Sequence, residues 1–165
     1  MSDPLEILMQ EHNEDLLLLK TIEKAAASIE GTGFSAAAFG EITVALDEIG
    51  SKFRKHMEKE ERYLFPLVLR HRNGLFSSLR GDHSDLRLAF NELTMCVRDV
   101  QEGHVHGKSI TELLRCIKLF IEQLRGHIDR ETSILFPVVR QLLTPDEYEE
   151  LRQGISSVGS SHAVS

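Results

Sequence analysis

The sequence predicts an all-α protein: an antiparallel up-down-up-down four-helix bundle followed by a short extra helix. Three observations predict it. Apolar residues recur every three or four positions along nearly the whole chain, and no segment alternates with the period of two that a half-buried strand needs. The breaks between the periodic stretches are short, which forces neighbouring helices to run antiparallel.

The first helix starts at Asp3 as N-cap, with Pro4 at the first helical position and Glu6 three residues after the cap. Its inward face reads Leu5, Met9, His12, Leu16, Leu19, Ile22, Ala26 and Ile29, and Gly31-Thr32-Gly33 breaks it. The second runs from about Ser35 with Phe39, Ile42, Leu46, Ile49, Phe53, His56, Glu60, Tyr63 and Leu67 on one seam, before a turn at Asn73-Gly74. The third carries Leu79, His83, Leu86, Phe90, Leu93, Val97 and Val100. A glycine-flanked loop, 103–107, leads into the fourth, which aligns Ile110, Leu113, Ile117, Phe120, Leu124, His127, Glu131, Leu135 and Val138. Thr144-Pro145-Asp146-Glu147 is the capped start of the extra helix, expected to reach about Gln153, and the Ser- and Gly-rich tail from Gly154 is expected to fray. The bundle thus covers residues 1–143, and the short helix with its flexible tail covers 144–165.

Composition bounds the function. At 165 residues the chain suits one compact domain, and 41% apolar with 27% charged residues excludes both a disordered chain and a membrane protein. The longest unbroken apolar runs, such as Leu16–Leu19, cannot span a bilayer. A net charge of −7 argues against nucleic acid as a partner. Met1-Ser2-Asp3-Pro4 does not read as a secretory leader, and two cysteines make no disulfide framework, so a cytoplasmic location is expected. A homo-oligomer remains compatible with all of this.

The chain also repeats itself at an offset of 71 residues. His56-Met57-Glu58-Lys59-Glu60-Glu61-Arg62-Tyr63-Leu64-Phe65-Pro66-Leu67-Val68 lies over His127-Ile128-Asp129-Arg130-Glu131-Thr132-Ser133-Ile134-Leu135-Phe136-Pro137-Val138-Val139, with six of thirteen positions identical. The same offset takes Glu11-His12-Asn13-Glu14 onto Asp82-His83-Ser84-Asp85. The repeat preserves His12/His83, His56/His127 and Glu60/Glu131 together, all on the buried seams.

Ionisable groups on an inward face lose hydration and need compensation. In each His-x-x-x-Glu pair the i, i+4 spacing sets both side chains on one face. Four imidazoles and two carboxylates converging from four helices exceed the need of one tetrahedral zinc. They suit two six-coordinate ions with about twelve positions. Four His fill four, two bridging carboxylates four, and a bridging oxide or hydroxide two, which leaves about two for a small molecule. Nitrogen and oxygen donors without thiolate favour iron ahead of manganese or zinc. The His-before-Glu order at i, i+4 differs from the Glu-x-x-His pattern of ferritin-like bundles.

His12, then His56-x-x-x-Glu60 with Leu64-Phe65-Pro66, then Asp82-His83, then His127-x-x-x-Glu131 with Leu135-Phe136-Pro137, resembles the hemerythrin-like HHE cation-binding family over about residues 5–142. The resemblance implies a hemerythrin-like four-helix bundle around a non-haem di-iron centre, with His12, His56, His83 and His127 as terminal ligands and Glu60 and Glu131 bridging. It implies a protein that binds or senses oxygen, nitric oxide or peroxide at open iron positions. Two alternatives stand beside that reading: a di-iron enzyme consuming peroxide or nitric oxide, and iron handling or iron–sulfur cluster repair. One departure bears on the choice. Oxygen-carrying hemerythrins have a second His four residues after the third-helix ligand, where this chain has Arg87. Glu58, Tyr63 or water are the candidates to fill in, although Tyr63 reads first as a core aromatic. Arg87 itself points either to solvent or into the pocket as an anion-stabilising cation.

Other features read plainly. His104 and His106 belong to a solvated loop, His71 to a helix end, and His162 to the tail. Cys96 and Cys116 are small packing residues beside the stripes. Pro66 and Pro137 either kink their helices or end them.

Overall fold

The structure is a computed structural model that describes residues 2–71 and 74–159, and among these residues there are helices and no strand. The caps form as their residues require. In α1 (Pro4–Thr32) the Asp3 carboxylate accepts the Leu5 N–H at 2.9 Å, and Gly33 ends the helix at a φ of 92°. In α2 (Ala36–Lys59) Ser35 Oγ accepts the Ala38 N–H. α4 (Leu75–Gln101) follows Gly74, while the other half of the expected turn, Asn73, lies outside the described residues. α5 (Gly107–Arg130) starts on an uncommon cap: His106 Nδ1 accepts the Ser109 N–H, and Ser109 Oγ accepts the His106 N–H. His106 is therefore a capping residue, and His104 pairs with Asp99 at 2.7 Å.

α1 packs along α2, α4 along α5, and α1 also along α5. The core is divided in two. One block joins Leu19, Ile22, Ile42, Ile49, Leu86, Leu93, Ile117 and Phe120 of the four long helices. Each such side chain contributes roughly 1.5–3 kcal/mol on burial. The other gathers Leu5, Leu8, Leu64, Phe65, Leu135, Phe136, Leu151 and Ile155 at one end. Phe53, Phe90 and Phe120, with ring centroids 5.6–6.4 Å apart, belong to the first block. Cys96 and Cys116 touch there with sulfurs 3.2 Å apart, and burial together with Cys96 pushes the Cys116 thiol up to about 12, so it packs rather than reacts.

Two π turns depart from the expected continuous helices. The chain leaves α2 through Glu60–Leu64 into α3 (Phe65–Arg70), and leaves α5 through Glu131–Leu135 into α6 (Phe136–Leu142). The prolines account for both. Pro66 and Pro137 have no N–H to offer the carbonyl four residues back, and the Phe65 and Phe136 N–H groups reach five back instead, to Glu60 O and Glu131 O. The helices neither end nor break; each takes in one extra residue. That shifts the buried seam by one position. Leu64 replaces Tyr63 in the core, and Val139 replaces Val138, which is only half-buried.

α7 (Pro145–Gly159) runs six residues past its expected end at Gln153. Gly154 is buried rather than frayed, because α7 lies back against the first π turn with Leu151 and Ile155 in the terminal core block. Residues 160–165, including His162, lie outside the described residues. A Cβ at Gly154 would stand 2.3 Å from Tyr63 Cδ1 and 3.0 Å from its Cβ, near the root of that side chain. Gly154→Ala should therefore destabilise the protein by about 1–3 kcal/mol in urea unfolding. Adding Tyr63→Ala should remove part of that penalty, giving a double-mutant cycle well short of additive.

Candidate metal centre

The predicted six side chains lie between the two apolar blocks and are all buried: Glu60, His83 and Glu131 at 0% exposure, His12 and His127 at 2%, His56 at 4%. Helix geometry delivers them in pairs. His56 and Glu60 close α2 and open its π turn, with His56 Nε2 3.1 Å from Glu60 Oε1. His127 and Glu131 do the same from α5, with Nε2 3.1 Å from Oε1. α1 and α4 add His12 and His83.

Each carboxylate divides its two oxygens between two histidine pairs. Glu60 turns Oε1 to His56 and Oε2 to His83, at 3.1 and 3.2 Å. Glu131 turns Oε2 to His12 at 3.1 Å and His56 at 3.9 Å, and Oε1 to His127 at 3.1 Å and His83 at 3.7 Å. Two overlapping donor groups result, each with donor atoms within 4.8 Å of one another: His12, His56, Glu60 and Glu131; and His83, His127, Glu60 and Glu131. Both carboxylates belong to both groups.

The polar atoms here are poorly served by protein partners. Both oxygens of Glu60 and of Glu131, His83 Nε2 and both ring nitrogens of His127 have no hydrogen-bond partner among the described residues. Buried carboxylate oxygens and imidazole nitrogens left this way cost several kcal/mol unless a cation gathers them, and a metal ion fits this donor set. His12 and His56, by contrast, share a hydrogen bond between their Nε2 atoms at 2.9 Å.

Outside the pocket the repeat continues. His56 Nδ1 donates to Glu11 at 2.7 Å, and Lys59 pairs with the other Glu11 oxygen. At the offset of 71, His127 Nδ1 faces Asp82 at 3.7 Å, and Arg130 donates to Asp82 at 2.8 Å. His83 Nδ1 donates to Glu61 at 2.8 Å, and the corresponding His12 Nδ1 meets Thr132 Oγ1 at 3.3 Å. Phe65 packs on His83 and Phe136 stacks on His12, with centroids 5.0 and 5.5 Å apart. The Leu-Phe-Pro motif thus serves the site: proline makes the π turn, and the turn carries Phe onto a histidine.

Charge inside the pocket is internally balanced. Burial alone would depress His56 and His83, but Glu60, Glu131 and, for His56, Glu11 outweigh it. They hold His56 well above the usual imidazole value and His83 at about 10. Burial wins at His127, which is lowered. Burial pushes the carboxylates up, but the surrounding imidazoles hold Glu60 below and Glu131 well below the ordinary range.

The candidate extra ligands are elsewhere. Tyr63 leans on α7, where its hydroxyl accepts from Ser157 Oγ at 3.1 Å, and Glu58 is exposed beside Arg62. Arg87 does not enter the pocket. It is 46% exposed and donates to Glu61 at 2.6 Å, so it reaches His83 only through that carboxylate. Glu11, Lys59, Glu61, Asp82, Arg130 and Thr132 went unassigned in the sequence, although all six lie within the segments that repeat. Asp15, one turn past His12, was also missed; burial raises it to about 6 and leaves Oδ1 without a partner among the described residues.

The profile of the Hemerythrin HHE cation binding domain family matches residues 3–139. Comparison with curated proteins returned no match.

The pKa directions predict how the metal-free chain answers to pH. His56 and His83 are raised, so their stabilisation is complete below the ordinary 6.5 and is lost as pH climbs through the folded values, about 10 for His83. His127, lowered, offsets one of these below 6.5. Glu60 and Glu131 are depressed, so theirs is complete above 4.5 and is lost as pH falls through their folded values. Thermal melts in the presence of chelator should therefore give the highest Tm between about pH 4.5 and 6.5, with a decline toward pH 10.

Proposed function

The chain belongs to the hemerythrin HHE cation-binding family, and from that premise we propose that its buried pocket holds two iron ions and binds or senses a small ligand there, whether oxygen, nitric oxide or peroxide. His12 and His56 would hold one ion and His83 and His127 the other, with Glu60 and Glu131 shared between them and an oxide or hydroxide completing the set. The observation that carries this reading is the division of each carboxylate's oxygens between the two histidine pairs. Four histidines, four carboxylate oxygens and a bridging oxygen leave about two of roughly twelve positions for the ligand. Bound iron supplies reversible coordination and one-electron chemistry that these side chains lack.

The chain's own residues do the rest. The Nε2 atoms face inward and their opposite nitrogens face outward, which sets the donors before metal arrives. The two core blocks wall the pocket with Phe65, Phe136 and aliphatic side chains, a setting that suits small, weakly hydrated ligands. The four long helices run up-down-up-down in this reading. The ion pairs Glu23–Arg125 and Glu30–Lys118 support it, since they step forward along α1 and backward along α5.

Reconstituted protein should carry two irons per chain, show an oxo-bridge band in the near ultraviolet, and change spectrum with one of the three ligands. Less than one iron per chain with no such band overturns the reading. Glu131→Ala should lose most of the iron. It should also lose the thermal stabilisation that metal confers on the wild type, about 2.7 kcal/mol when free metal exceeds Kd a hundredfold.

A further inference from the structure

The repeat is broken at two outer positions, and both breaks fall on the same side of the pocket. His56 and His83 flank Glu60, and each donates its Nδ1–H to a carboxylate: Glu11 at 2.7 Å and Glu61 at 2.8 Å. A carboxylate only accepts, so in the neutral ring Nδ1 carries the proton and the inward Nε2 keeps the lone pair that would meet a metal ion. Lys59 and Arg87 hold those carboxylates in turn. His12 and His127 flank Glu131, and neither is fixed in this way. Thr132, at the position matching Glu61, offers His12 a hydroxyl at 3.3 Å that donates as readily as it accepts. Asp82, at the position matching Glu11, is one methylene shorter. Its carboxylate stops 3.7 Å from His127 Nδ1, which has no hydrogen-bond partner among the described residues.

We infer that Glu11 and Glu61 are positioning residues that lock His56 and His83 as an anchored edge of the centre, and that His12 and His127 form a yielding edge through which metal is loaded and released. The inference rests on the di-metal reading above. Each ion takes one histidine from each edge, so the inequality lies between the edges and not between the ions. A loosely held imidazole swings off its ion at little cost, whereas one whose far nitrogen is tied to a clamped carboxylate does not.

Ferrous iron is titrated anaerobically into the full chain against a competing chelator, and its release to excess chelator is timed. Glu61→Gln and Glu11→Gln should each weaken iron binding about 10–100-fold, and Thr132→Val by less than about tenfold. Glu61 is partly exposed, so its variant tests the idea even if Glu11→Gln, which strips Lys59 of its partner, folds poorly. Asp82→Glu restores the longer side chain and should tighten binding and slow release by about tenfold, with the Tm of the metal-free variant unchanged. A purely structural role predicts no such gain. Wild-type protein that takes up no iron overturns the functional reading and this inference together. If the wild type binds two irons but Thr132→Val costs as much as Glu61→Gln, or Asp82→Glu brings no gain, the inference alone falls.

Discussion

Six ionisable side chains occupy the middle of a helical core, and the rest of the structure is arranged around keeping them there. Moving a charged group of this kind out of water costs several kcal/mol even after relaxation, and six together rival the net stability of an ordinary domain. The core is accordingly split, with one apolar block on each side of the polar layer. Within the layer each carboxylate stands among imidazoles, which is why His83 rises to about 10 while Glu131 falls. Outside it, a second ring of acids is held by Lys59, Arg87 and Arg130. The polarity is thus passed outward in steps until water takes it up.

The π turns belong to the same solution. A regular helix from His56 onward would keep Tyr63 on the seam and set Phe65 beside it, off the pocket. The additional residue taken in ahead of Pro66 rotates the following turn, so that Leu64 and Phe65 close over the site and Tyr63 swings out to α7. The same substitution of partners at Pro137 brings Phe136 flat against His12, 7° from parallel. Two residues chosen for what they cannot do as donors therefore decide which aromatic rings wall the centre.

What was legible in the sequence follows from how local each signal is. The helical stripes, the Asp3 cap and the convergence of His12, His56, Glu60, His83, His127 and Glu131 were all readable, because a buried seam and a 71-residue repeat depend only on spacing. The one-residue shift at Tyr63 and Val138 was not, since a proline in a helix allows a kink, a stop or a π turn, and packing chooses among them. The extent of α7 was hidden for a similar reason: Gly154 reads as a breaker until Tyr63 fills the space a side chain would need. Arg87 shows the limit of reading a departure as a gain. Its place one turn from His83 is right for a pocket cation, yet Glu61 on the neighbouring π turn captures it first.

The two halves of the repeat are separately incomplete, and that ties the pocket to folding. The first half supplies His12, His56 and Glu60; the second supplies His83, His127 and Glu131. Neither donor group closes within one half, because Glu131 completes the first and Glu60 completes the second. The outer contacts cross in the same manner wherever a π turn is involved, Thr132 reaching back to His12 and Glu61 forward to His83. A cation bound at either group therefore fastens one half of the chain to the other, and its binding energy is stability gained by the assembled bundle alone. Where the polar layer interrupts the apolar packing, such a cross-link would tie the two blocks to one another.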